Sequence, residues 1–404
     1  MIKRFYLNDF IAKYVTERNS SLFEEDLAAN KDAINNAVAG KSVLVIGGAG
    51  TIGSSFIKAM LVFEPAAVTV VDNNENGLAE LVRDIRSNAA IKVPAKFITY
   101  PMDLASNVFK KILANNHFDI VANFAAHKHV RSEKDQFSVE AMITNNVLSA
   151  HYLLKALHKN PPAHFFCVST DKAANPVNIM GASKKLMENV IFNSLDAVPV
   201  TTARFANVAF SNGSLPAGFL DRIQKRQPIS APSDVKRYFV SPAESGEICL
   251  LACVLGKPGE ILFPKLAENE MKTFSQIAID LLKEMDYEPV ICNTEHEAKE
   301  MAVGLNDSSK KYPVYFFRSE TTGEKPFEEF YTNEEQVDFD KFINLGIIKR
   351  TASDTAMDLN SCIRDIEQLF SKEHFTKLQI VEILEGAVPG FNHLETGKFL
   401  DEKM

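Results

Sequence analysis

The stretch "SVLVIGGAGTIG" (Ser42–Gly53) is an apolar, β-branched run that breaks abruptly into glycines. Gly47, Gly50 and Gly53 have the spacing GxxGxxG between a predicted strand and a predicted helix. The first permits a tight turn, the second lets the backbone approach a pyrophosphate, and the third allows close helix–strand packing. Unpaired N–H groups at the start of the helix favour an anion. The stretch predicts a phosphate loop, and the alternative is a plain tight turn. The residues predicted to bind a cofactor here are Gly47, Gly50, Thr51, Ile52 and Gly53.

A second short apolar run ends at Asp72, about 20 residues after the glycines. An acidic side chain there binds ribose hydroxyls and repels a 2′-phosphate, which favours NAD over NADP. Asp103 follows the next predicted strand, where it can accept a hydrogen bond from the adenine amine. The small residues of "NFAA" follow the fourth strand and let the backbone approach the cofactor. The cofactor contacts predicted in these loops are Asp72, Asp103, Leu104, Ala125 and Ala126.

Short apolar segments alternate with stretches of helical spacing from residue 41 to about residue 212. This alternation predicts βαβ units and a parallel sheet covered on both faces. The expected fold class is α/β, a doubly wound, Rossmann-like parallel sheet with a smaller C-terminal substrate subdomain and helical extensions at both ends. The predicted segments are a helical extension (1–40), an NAD-binding domain (41–212), a mixed substrate-binding subdomain (213–350) whose strand near 260–264 returns to the sheet, and a helical extension (351–404).

The composition limits the class of protein. The 404 residues are 46% hydrophobic and 24% charged, with a net charge of -8. The sequence shows no basic face of the kind that binds nucleic acid. No apolar stretch reaches the roughly 18 residues that a membrane span needs. The five cysteines form no CxxC pair, which predicts a reduced, cytoplasmic protein. No His, Asp or Glu cluster has ligand spacing, so no metal site is predicted.

The stretch "STDKAANPVNIMGASKK" (Ser169–Lys185) looks like the catalytic segment of a nicotinamide enzyme with one residue changed. Such enzymes have a Tyr four positions before a Lys, and here Met180 stands four positions before Lys184. Methionine has no acid or base function, so it can only shape the pocket. The adjacent Asp171 and Lys172 offer an acid/base pair instead.

Several segments together resemble the extended short-chain dehydrogenase/reductase superfamily. Within it, the chain is similar to the nucleotide-sugar 4,6-dehydratases of polysaccharide biosynthesis, typified by UDP-N-acetylglucosamine 4,6-dehydratases. The resemblance covers roughly residues 41–335. It implies an NAD-dependent enzyme that converts a UDP-amino sugar, UDP-N-acetylglucosamine first, into a 4-keto-6-deoxy sugar nucleotide, and it implies a homo-oligomer. The matching segments are "IGGAGTIGS", "AAHKHV", "NNVLSA", "STDKAANPVNIMGASKK", "RFANVAFSNGSLPAGF", "KRYFVSPAES" and "GEKPFEEF".

The implied reaction moves a hydride from carbon 4 to NAD+, eliminates water across carbons 5 and 6, and returns the hydride to carbon 6. It needs an acid and a base beside the cofactor. Asp171 is expected to protonate the leaving hydroxyl. Lys172 is expected to take the carbon 5 proton, which requires a lowered pKa for its amine. Thr170 would relay the carbon 4 hydroxyl proton, and Lys184 would hold the nicotinamide ribose.

The resemblance also implies further contacts. Ser169, Asn146 and Lys184 are expected on the cofactor side. Met180, which cannot exchange protons, favours retained configuration at carbon 5. The residues expected to contact the substrate are Lys128, His129, Met180, Asn207, Arg237 and Glu324.

Two alternatives to a dehydratase stay open. A nucleotide-sugar 4-epimerase needs only hydride removal and return, but it usually needs the Tyr, so Met180 and Lys172 both count against it. The alternative of another class is a non-catalytic dinucleotide-binding regulator, against which the intact "TDK" argues.

Overall fold

The computed structural model describes residues 5–319, 325, 327–350 and 358–393, apart from the side chain of Arg131. The strands are β1 Ser42–Ile46, β2 Ala67–Asp72, β3 Lys96–Pro101, β4 Ile120–Asn123, β5 His164–Val168, β6 Val200–Ala203, β7 Asn207–Val208, β8 Ile229–Pro232, β9 Lys236–Arg237, β10 Phe239–Val240, β11 Glu260–Pro264, β12 Lys272–Thr273, β13 Glu288–Cys292, β14 Lys311–Phe317, β15 Val337–Asp338 and β16 Leu345–Lys349.

The α-helices are α1 Leu7–Phe10, α2 Glu24–Ala29, α3 Lys31–Val38, α4 Thr51–Leu61, α5 Glu75–Ser87, α6 Asn107–Asn115, α7 Gln136–Ile143, α8 Ser149–Leu157, α9 Ile179–Phe192, α10 Leu215–Gln224, α11 Pro242–Leu255, α12 Phe274–Glu284, α13 Glu295–Val303, α14 Leu359–Phe370 and α15 Lys377–Ala387. The remaining helical turns are π-helical at Ile11–Val15 and Thr144–Leu148, and 3-10 at Val130–Glu133, Asp171–Ala173 and Glu268–Glu270.

Among the described residues, nine strands form one sheet in the order β15-β16-β11-β6-β5-β4-β1-β2-β3. The neighbouring strands β11, β6, β5, β4, β1, β2 and β3 run parallel. Next to β11, strands β16 and β15 add an antiparallel edge. Since β1 lies between β2 and β4, the strand order reverses there. In such sheets a crevice for ligands opens beyond the carboxyl ends of the strands at the reversal. The predicted α/β, doubly wound fold class is confirmed.

Helix α4 is fixed beneath this crevice by its apolar face and by a close helix crossing. Its residues Phe56, Ile57 and Met60 are buried against the sheet. Gly246 of α11 lies so near α4 that a Cβ atom there would come within 2.3 Å of the Ser55 carbonyl carbon. The two helices therefore touch backbone to backbone, which sets the direction of the N-terminus of α4.

A second, smaller parallel sheet has the order β13-β14-β8. Helices α10 and α12 pack on it through a separate apolar cluster that includes Phe219, Leu281 and Val314. The far wall of the crevice is formed by this layer.

Two charged side chains of the N-terminal segment make hydrogen bonds to distant parts of the chain. Arg18 donates to both carboxylate oxygens of Glu244, at 2.9 and 3.0 Å. Asp26 accepts from the backbone N–H groups of Ile343 and Asn344 at 2.7 and 2.8 Å. The predicted division of the chain at residues 40, 212 and 350 stays a prediction, and β11, β15 and β16 of the third segment lie in the sheet of the second.

Helices α14 and α15 pack against α7 and α9 on one face of the large sheet. Ile363 and Leu384 belong to the same buried cluster as Met180 and Leu186. The C-terminal helices thus cover the helix that carries Met180 and Lys184. None of the helices in the described ranges has the length and apolar character that a membrane crossing requires.

Candidate active site

A cleft of about 730 Å³ opens where the strand order reverses. It brings together most of the residues predicted from the sequence. The predicted residues that line it are Gly47, Gly50, Thr51, Ile52, Gly53, Ala126, Lys128, His129, Ser169, Thr170, Lys172, Met180, Lys184 and Asn207.

The glycine turn is held by shape. Gly47 has a φ of 73°, and a Cβ atom there would lie 2.6 Å from the Ala125 nitrogen. A Cβ atom on Gly53 would lie 2.4 Å from the Gly47 carbonyl oxygen. Around Gly50, in contrast, the nearest atom to an added Cβ is 3.5 Å away, so its open side faces the cleft. The turn and the first residues of α4 thus form a cradle with backbone N–H groups at its base.

Asp72 closes this turn from the end of β2. Its two carboxylate oxygens accept hydrogen bonds from the Ala49 and Asn74 N–H groups, each at 2.9 Å. Each oxygen keeps a further acceptor site, so the carboxylate remains suited to ribose hydroxyls. Asp103 accepts from the Ala105 N–H at 2.6 Å, and Leu104 packs against the large core.

Asn146 lies behind the cleft wall, in the π-helical turn between α7 and α8. Its side chain accepts from the His127 N–H at 2.8 Å and donates to the His127 carbonyl and to Ser183 Oγ. It therefore joins the loop after β4 to helix α9. Ala125, next to this loop, donates its N–H to the Asn123 side chain at 3.1 Å.

The sequence after β5 forms a tight hydrogen-bonded turn around Asp171. Asp171 Oδ1 accepts from Thr170 Oγ1 at 2.8 Å, from the Lys172 N–H at 2.9 Å and from Lys172 Nζ at 3.0 Å. A Cβ atom on Gly181 of α9 would lie 2.7 Å from the Lys172 carbonyl oxygen. The turn is thus pressed against α9, with Thr170 and Lys172 facing the cleft.

The Lys172 ammonium has a second carboxylate neighbour, Glu328, whose Oε1 lies 3.6 Å from Lys172 Nζ. Burial alone would lower the pKa of Lys172, but Asp171 and Glu328 outweigh burial and raise it. The lowered pKa expected from the sequence is therefore wrong in direction. The physical reason is that the sequence revealed one acidic neighbour and the fold supplies two.

Glu328 is a neighbour of Lys172 that the sequence analysis missed. It is 6% exposed, and burial raises its pKa against the opposing charge of Lys172. Arg237 Nη2 lies 3.7 Å from the same carboxylate oxygen, while Arg237 Nη1 donates to the carbonyl oxygens of Lys236 and Lys325. Arg237, predicted as a substrate contact, is thus buried beside the lysine turn. The other predicted contact in this part of the chain, Glu324, lies outside the described residues.

A buried glutamate binds the first N–H groups of helix α9. Glu133 accepts from the N–H groups of Ile179 and Met180, at 3.1 and 2.8 Å. A carboxylate at a helix N-terminus is favourable because it complements the helix dipole. It fixes Met180 at the cleft, one turn before Lys184. Burial lowers the pKa of Lys184, and its ammonium donates to the Val168 carbonyl at 2.9 Å.

A buried ion cluster lies under the lysine turn. Arg204 is fully buried and makes paired hydrogen bonds to Glu188 and to Glu335, all of 2.7 to 2.8 Å. Burial alone would raise the pKa of Glu188, but the Arg204 charge and hydrogen bonds hold it at about 2. Ser169 donates its hydroxyl to Glu188 at 2.7 Å. Arg204 therefore connects the cleft residue Ser169 to the segment that carries Glu328.

The far half of the cleft is mainly aromatic and contains two unpartnered polar atoms. Phe219, Phe239, Phe274 and Phe317 are among its lining residues. Arg222 and Ser230 are also lining residues of this half, and the atoms Arg222 Nε and Ser230 Oγ are buried without a hydrogen-bond partner among the described residues. Buried polar atoms are normally paired, so these two atoms suggest a bound polar group.

Lys128 closes the near side of this half. Its ammonium donates to the Asn212 carbonyl at 2.9 Å, and burial lowers its pKa. The Asn212 N–H donates to Thr51 Oγ1 at 3.0 Å. The loop at residue 212 therefore links the start of α4, next to the glycine turn, to the aromatic half of the cleft.

The signal for Glu328 was present in the sequence but not decisive. "FEEF" offers two neighbouring acids between aromatic residues, and a chain turn there buries one acid and exposes the other. No local pattern identifies its partner, because Lys172 and Arg237 belong to other segments. For Arg204, the neighbouring strand residues gave no sign that an arginine would be enclosed.

The chain matches the family described as "Polysaccharide biosynthesis protein" over residues 43–336. It is 31% identical over 264 residues to an uncharacterized membrane protein of Methanocaldococcus jannaschii, covering 63% of this chain and 76% of that protein. It is 27% identical over 257 residues to the probable polysaccharide biosynthesis protein EpsC of Bacillus subtilis, covering 60% of this chain and 42% of that protein. UDP-glucose 4-epimerases of Rickettsia species match at 29 to 30% identity.

The fold is similar to the X-ray structure of Pen from Bacillus thuringiensis, with a TM-score of 0.61 and 20% sequence identity. That similarity covers 82% of this chain and 98% of Pen. The family match extends over most of the large sheet, the lysine turn and the segment that carries Glu328. The chain therefore belongs to the polysaccharide biosynthesis protein family.

Proposed function

We propose that the protein is an NAD-dependent 4,6-dehydratase of a UDP-amino sugar, with UDP-N-acetylglucosamine as the first candidate. The product would be a 4-keto-6-deoxy sugar nucleotide for surface polysaccharide or glycan synthesis. The observation that carries the proposal is the Lys172 ammonium, 3.0 Å from Asp171 in a cleft where position 180 is a methionine. Elimination of water needs an acid and a base, and this pair can supply both.

The residues of the first half of the cleft fit a dinucleotide. Gly47 makes the turn that only glycine tolerates there, Gly50 opens towards the cleft, and Asp72 closes the turn with acceptor capacity left for ribose hydroxyls. The Asp72 charge disfavours the 2′-phosphate of NADP. Bound there, NAD would accept the carbon 4 hydride and return it to carbon 6.

The second half of the cleft fits a nucleotide sugar. Aromatic walls suit a planar base, and Ser230 Oγ and Arg222 Nε offer it polar contacts. The Lys128 ammonium lies between this half and the phosphate turn, where it can attract a diphosphate. These features support a UDP-sugar as substrate.

The acid/base work can be completed within the Lys172–Asp171 pair. Lys172 passes one ammonium proton to Asp171, which leaves a neutral amine and a carboxylic acid. The amine then takes the carbon 5 proton, and the C–H electron pair forms the double bond to carbon 6 as the carbon 6–oxygen bond breaks. The departing hydroxyl takes the Asp171 proton and leaves as water. Lys172 is again an ammonium and Asp171 again a carboxylate.

Thr170 supplies the remaining proton path. In the resting site its hydroxyl donates to Asp171 at 2.8 Å. Once Asp171 holds the Lys172 proton, the Thr170 oxygen can accept the carbon 4 hydroxyl proton while its own proton passes to water, and water returns one proton to Lys172 after Lys172 has reprotonated carbon 5. Met180 takes no part in proton transfer, although it lines the cleft. The chain thus offers a route through Thr170 in place of the tyrosine that most members of the superfamily use.

The discriminating experiment is incubation with UDP-N-acetylglucosamine followed by mass spectrometry. A product lighter by one water supports the dehydratase. An isomer of unchanged mass supports a 4-epimerase, the activity named for the Rickettsia relatives. No change on any of a panel of UDP-sugars supports the dinucleotide-binding regulator. NAD(H) released by denaturing the purified protein supports NAD, and NADP would contradict it.

The same assay in deuterated water tests the role of Lys172 at carbon 5. One lysine that removes and restores the proton on one face retains the configuration. The expected product has deuterium at carbon 5 and the gluco arrangement in its proton couplings. An initial product with the arabino arrangement, formed before spontaneous epimerisation, would contradict a one-base mechanism.

A further inference from the structure

Glu328 links the lysine turn to a distant segment of the chain. Its Oε1 lies 3.6 Å from Lys172 Nζ and 3.7 Å from Arg237 Nη2, and all three side chains are largely buried. The neighbouring residue Glu329 is exposed and faces Lys325, 3.9 Å away. One of two adjacent glutamates is therefore directed into the site and the other is not.

The position of Glu328 is fixed from both sides. Lys325 donates to the Asn175 carbonyl at 2.6 Å, just after the lysine turn. Glu335 is held by Arg204 and accepts from the Thr332 N–H at 3.1 Å. Anchors on both sides of Glu328 thus bring its carboxylate to Lys172.

We propose that Glu328 is a positioning residue that holds the Lys172 ammonium beside Asp171 and controls when Lys172 gives up its proton. The proposal rests on the proposed dehydration, because proton release from Lys172 matters only if Lys172 acts as the base. Two carboxylates on one ammonium favour the charged resting state. When Glu328 itself takes up a proton, Lys172 loses that counter-charge and transfer to Asp171 becomes easier.

The charges around Lys172 and Glu328 come from three places in the fold. Asp171 lies on the same turn, Glu328 and Lys325 on the anchored segment, and Arg237 on β9. Helix α9 packs against the turn through Gly181. The charged side chains of α9 nearest this packing are bonded to other groups, namely Lys184 to the Val168 carbonyl, Lys185 to Glu335, and Glu188 to Arg204.

The test is trace labelling of lysines with acetic anhydride at a mildly alkaline pH, read by mass spectrometry of the peptide that contains Lys172. Only the neutral amine reacts, so the rate reports the fraction of Lys172 that is deprotonated. Glu328→Gln removes one charge at nearly constant volume and should speed labelling of Lys172 roughly tenfold or more, since a neighbouring charge shifts a pKa by about 1 unit or more. Glu329→Gln is the matched control and should leave the rate unchanged.

Lys128 provides an internal reference, because it lines the same cleft and is bonded to Asn212 rather than to a carboxylate. Its labelling should be the same in all variants. An unchanged Lys172 rate in Glu328→Gln would overturn the proposal, and so would equal acceleration in Glu329→Gln. If Glu328→Gln loses its circular dichroism signal, Glu328→Asp decides the matter, with an intermediate acceleration expected and an unchanged rate contradicting the proposal.

The pH profile of turnover adds a second readout. If a neutral Lys172 is required, the limb that rises with pH should move to lower pH in Glu328→Gln and stay in place in Glu329→Gln. A profile of Glu328→Gln that coincides with that of the unchanged protein would contradict control by Glu328. If the unchanged protein removes water from no UDP-sugar, the proposed function fails, whereas the labelling result still decides whether Glu328 controls Lys172.

Discussion

The two turns that face the cleft are built on different principles. The glycine turn after β1 is held by shape, because Gly47 and Gly53 leave no room for a side chain. The lysine turn after β5 is held by charge, because Lys172 lies between Asp171 and Glu328. One added methyl group should therefore disrupt the first turn, whereas a change in pH should hardly affect it. The second should respond to charge and pH more than to volume.

The largest effect is expected at the lysine turn. Lys172→Ala should lower turnover roughly 10²–10⁴-fold, as expected for loss of a general base. NAD should still be retained, because the glycine turn is untouched. Turnover and the NAD content of purified protein are the measurements.

Lys172→Arg separates charge from proton transfer. Arginine keeps the positive charge between the two carboxylates but does not deprotonate in proteins. Its turnover should be as low as that of the alanine variant. An arginine variant with near-normal turnover would show that Lys172 acts by charge alone and would remove it as the base.

The next effect concerns the ion cluster below this turn. Arg204→Met removes the paired hydrogen bonds of Glu188 and Glu335 and leaves them Lys185 as a cationic neighbour, 3.9 and 3.3 Å away, so it should lower the free energy of unfolding by about 3 kcal/mol. Urea unfolding measures this change. The matched control is Arg226→Met, since Arg226 is exposed and pairs with exposed Asp307, an interaction worth less than about 1 kcal/mol. If Arg204→Met lowered the free energy of unfolding as little as Arg226→Met does, the buried cluster would not be stabilising.

Acid should lower the free energy of unfolding in a defined pH range, because the buried ion cluster loses the charge of Glu188. The pKa of Glu188 is about 2 in the folded protein, against an ordinary value of 4.5. Unfolded chains therefore bind the proton first, so the contribution of Glu188 is complete above pH 4.5 and is lost as the pH falls towards 2. The loss amounts to about 3 kcal/mol. Urea unfolding of Glu188→Gln should give a flatter pH dependence over this range, and parallel curves would contradict the assignment.

The smallest effect on stability is expected at the glycine turn. Gly47→Ala adds a methyl group at a positive φ and against the Ala125 nitrogen, which should cost about 2–3 kcal/mol and abolish NAD binding. The loss should be nearly independent of pH, in contrast to the lysine turn. Gly386→Ala in α15 is the control, because nothing lies within 4 Å of the added atom. Normal NAD content in Gly47→Ala would break the comparison.

The same contrast explains what could be predicted from the sequence. The glycine turn closes on a residue 23 positions away, through the bond from Ala49 to Asp72, and the spacing of glycines and acid is local information. The lysine turn depends on contacts such as Lys325 with Asn175, 150 positions apart, and Arg204 with Glu335, 131 apart. Local patterns identified Asp171 and Lys172 but not Glu328, which adds to the effect of Asp171 in raising the pKa of Lys172 and which only the fold brings near. Arg237 was expected as a substrate contact from the resemblance, and its burial beside Glu328 could not be predicted because that contact is equally non-local.

The packing of α14 and α15 on α9 has a consequence for the order of events during synthesis. Helix α9 carries Met180 and Lys184, yet Ile179, Leu186 and Val190 pack in one cluster with Ile363 and Leu384. A ribosome makes α9 long before it makes α15, at about 5–20 residues per second. For that interval the part of α9 that α14 and α15 cover is exposed, and it is available to chaperones or to other nascent chains. Packing of the helix that carries Met180 and Lys184 is thereby complete only after α15 has been made.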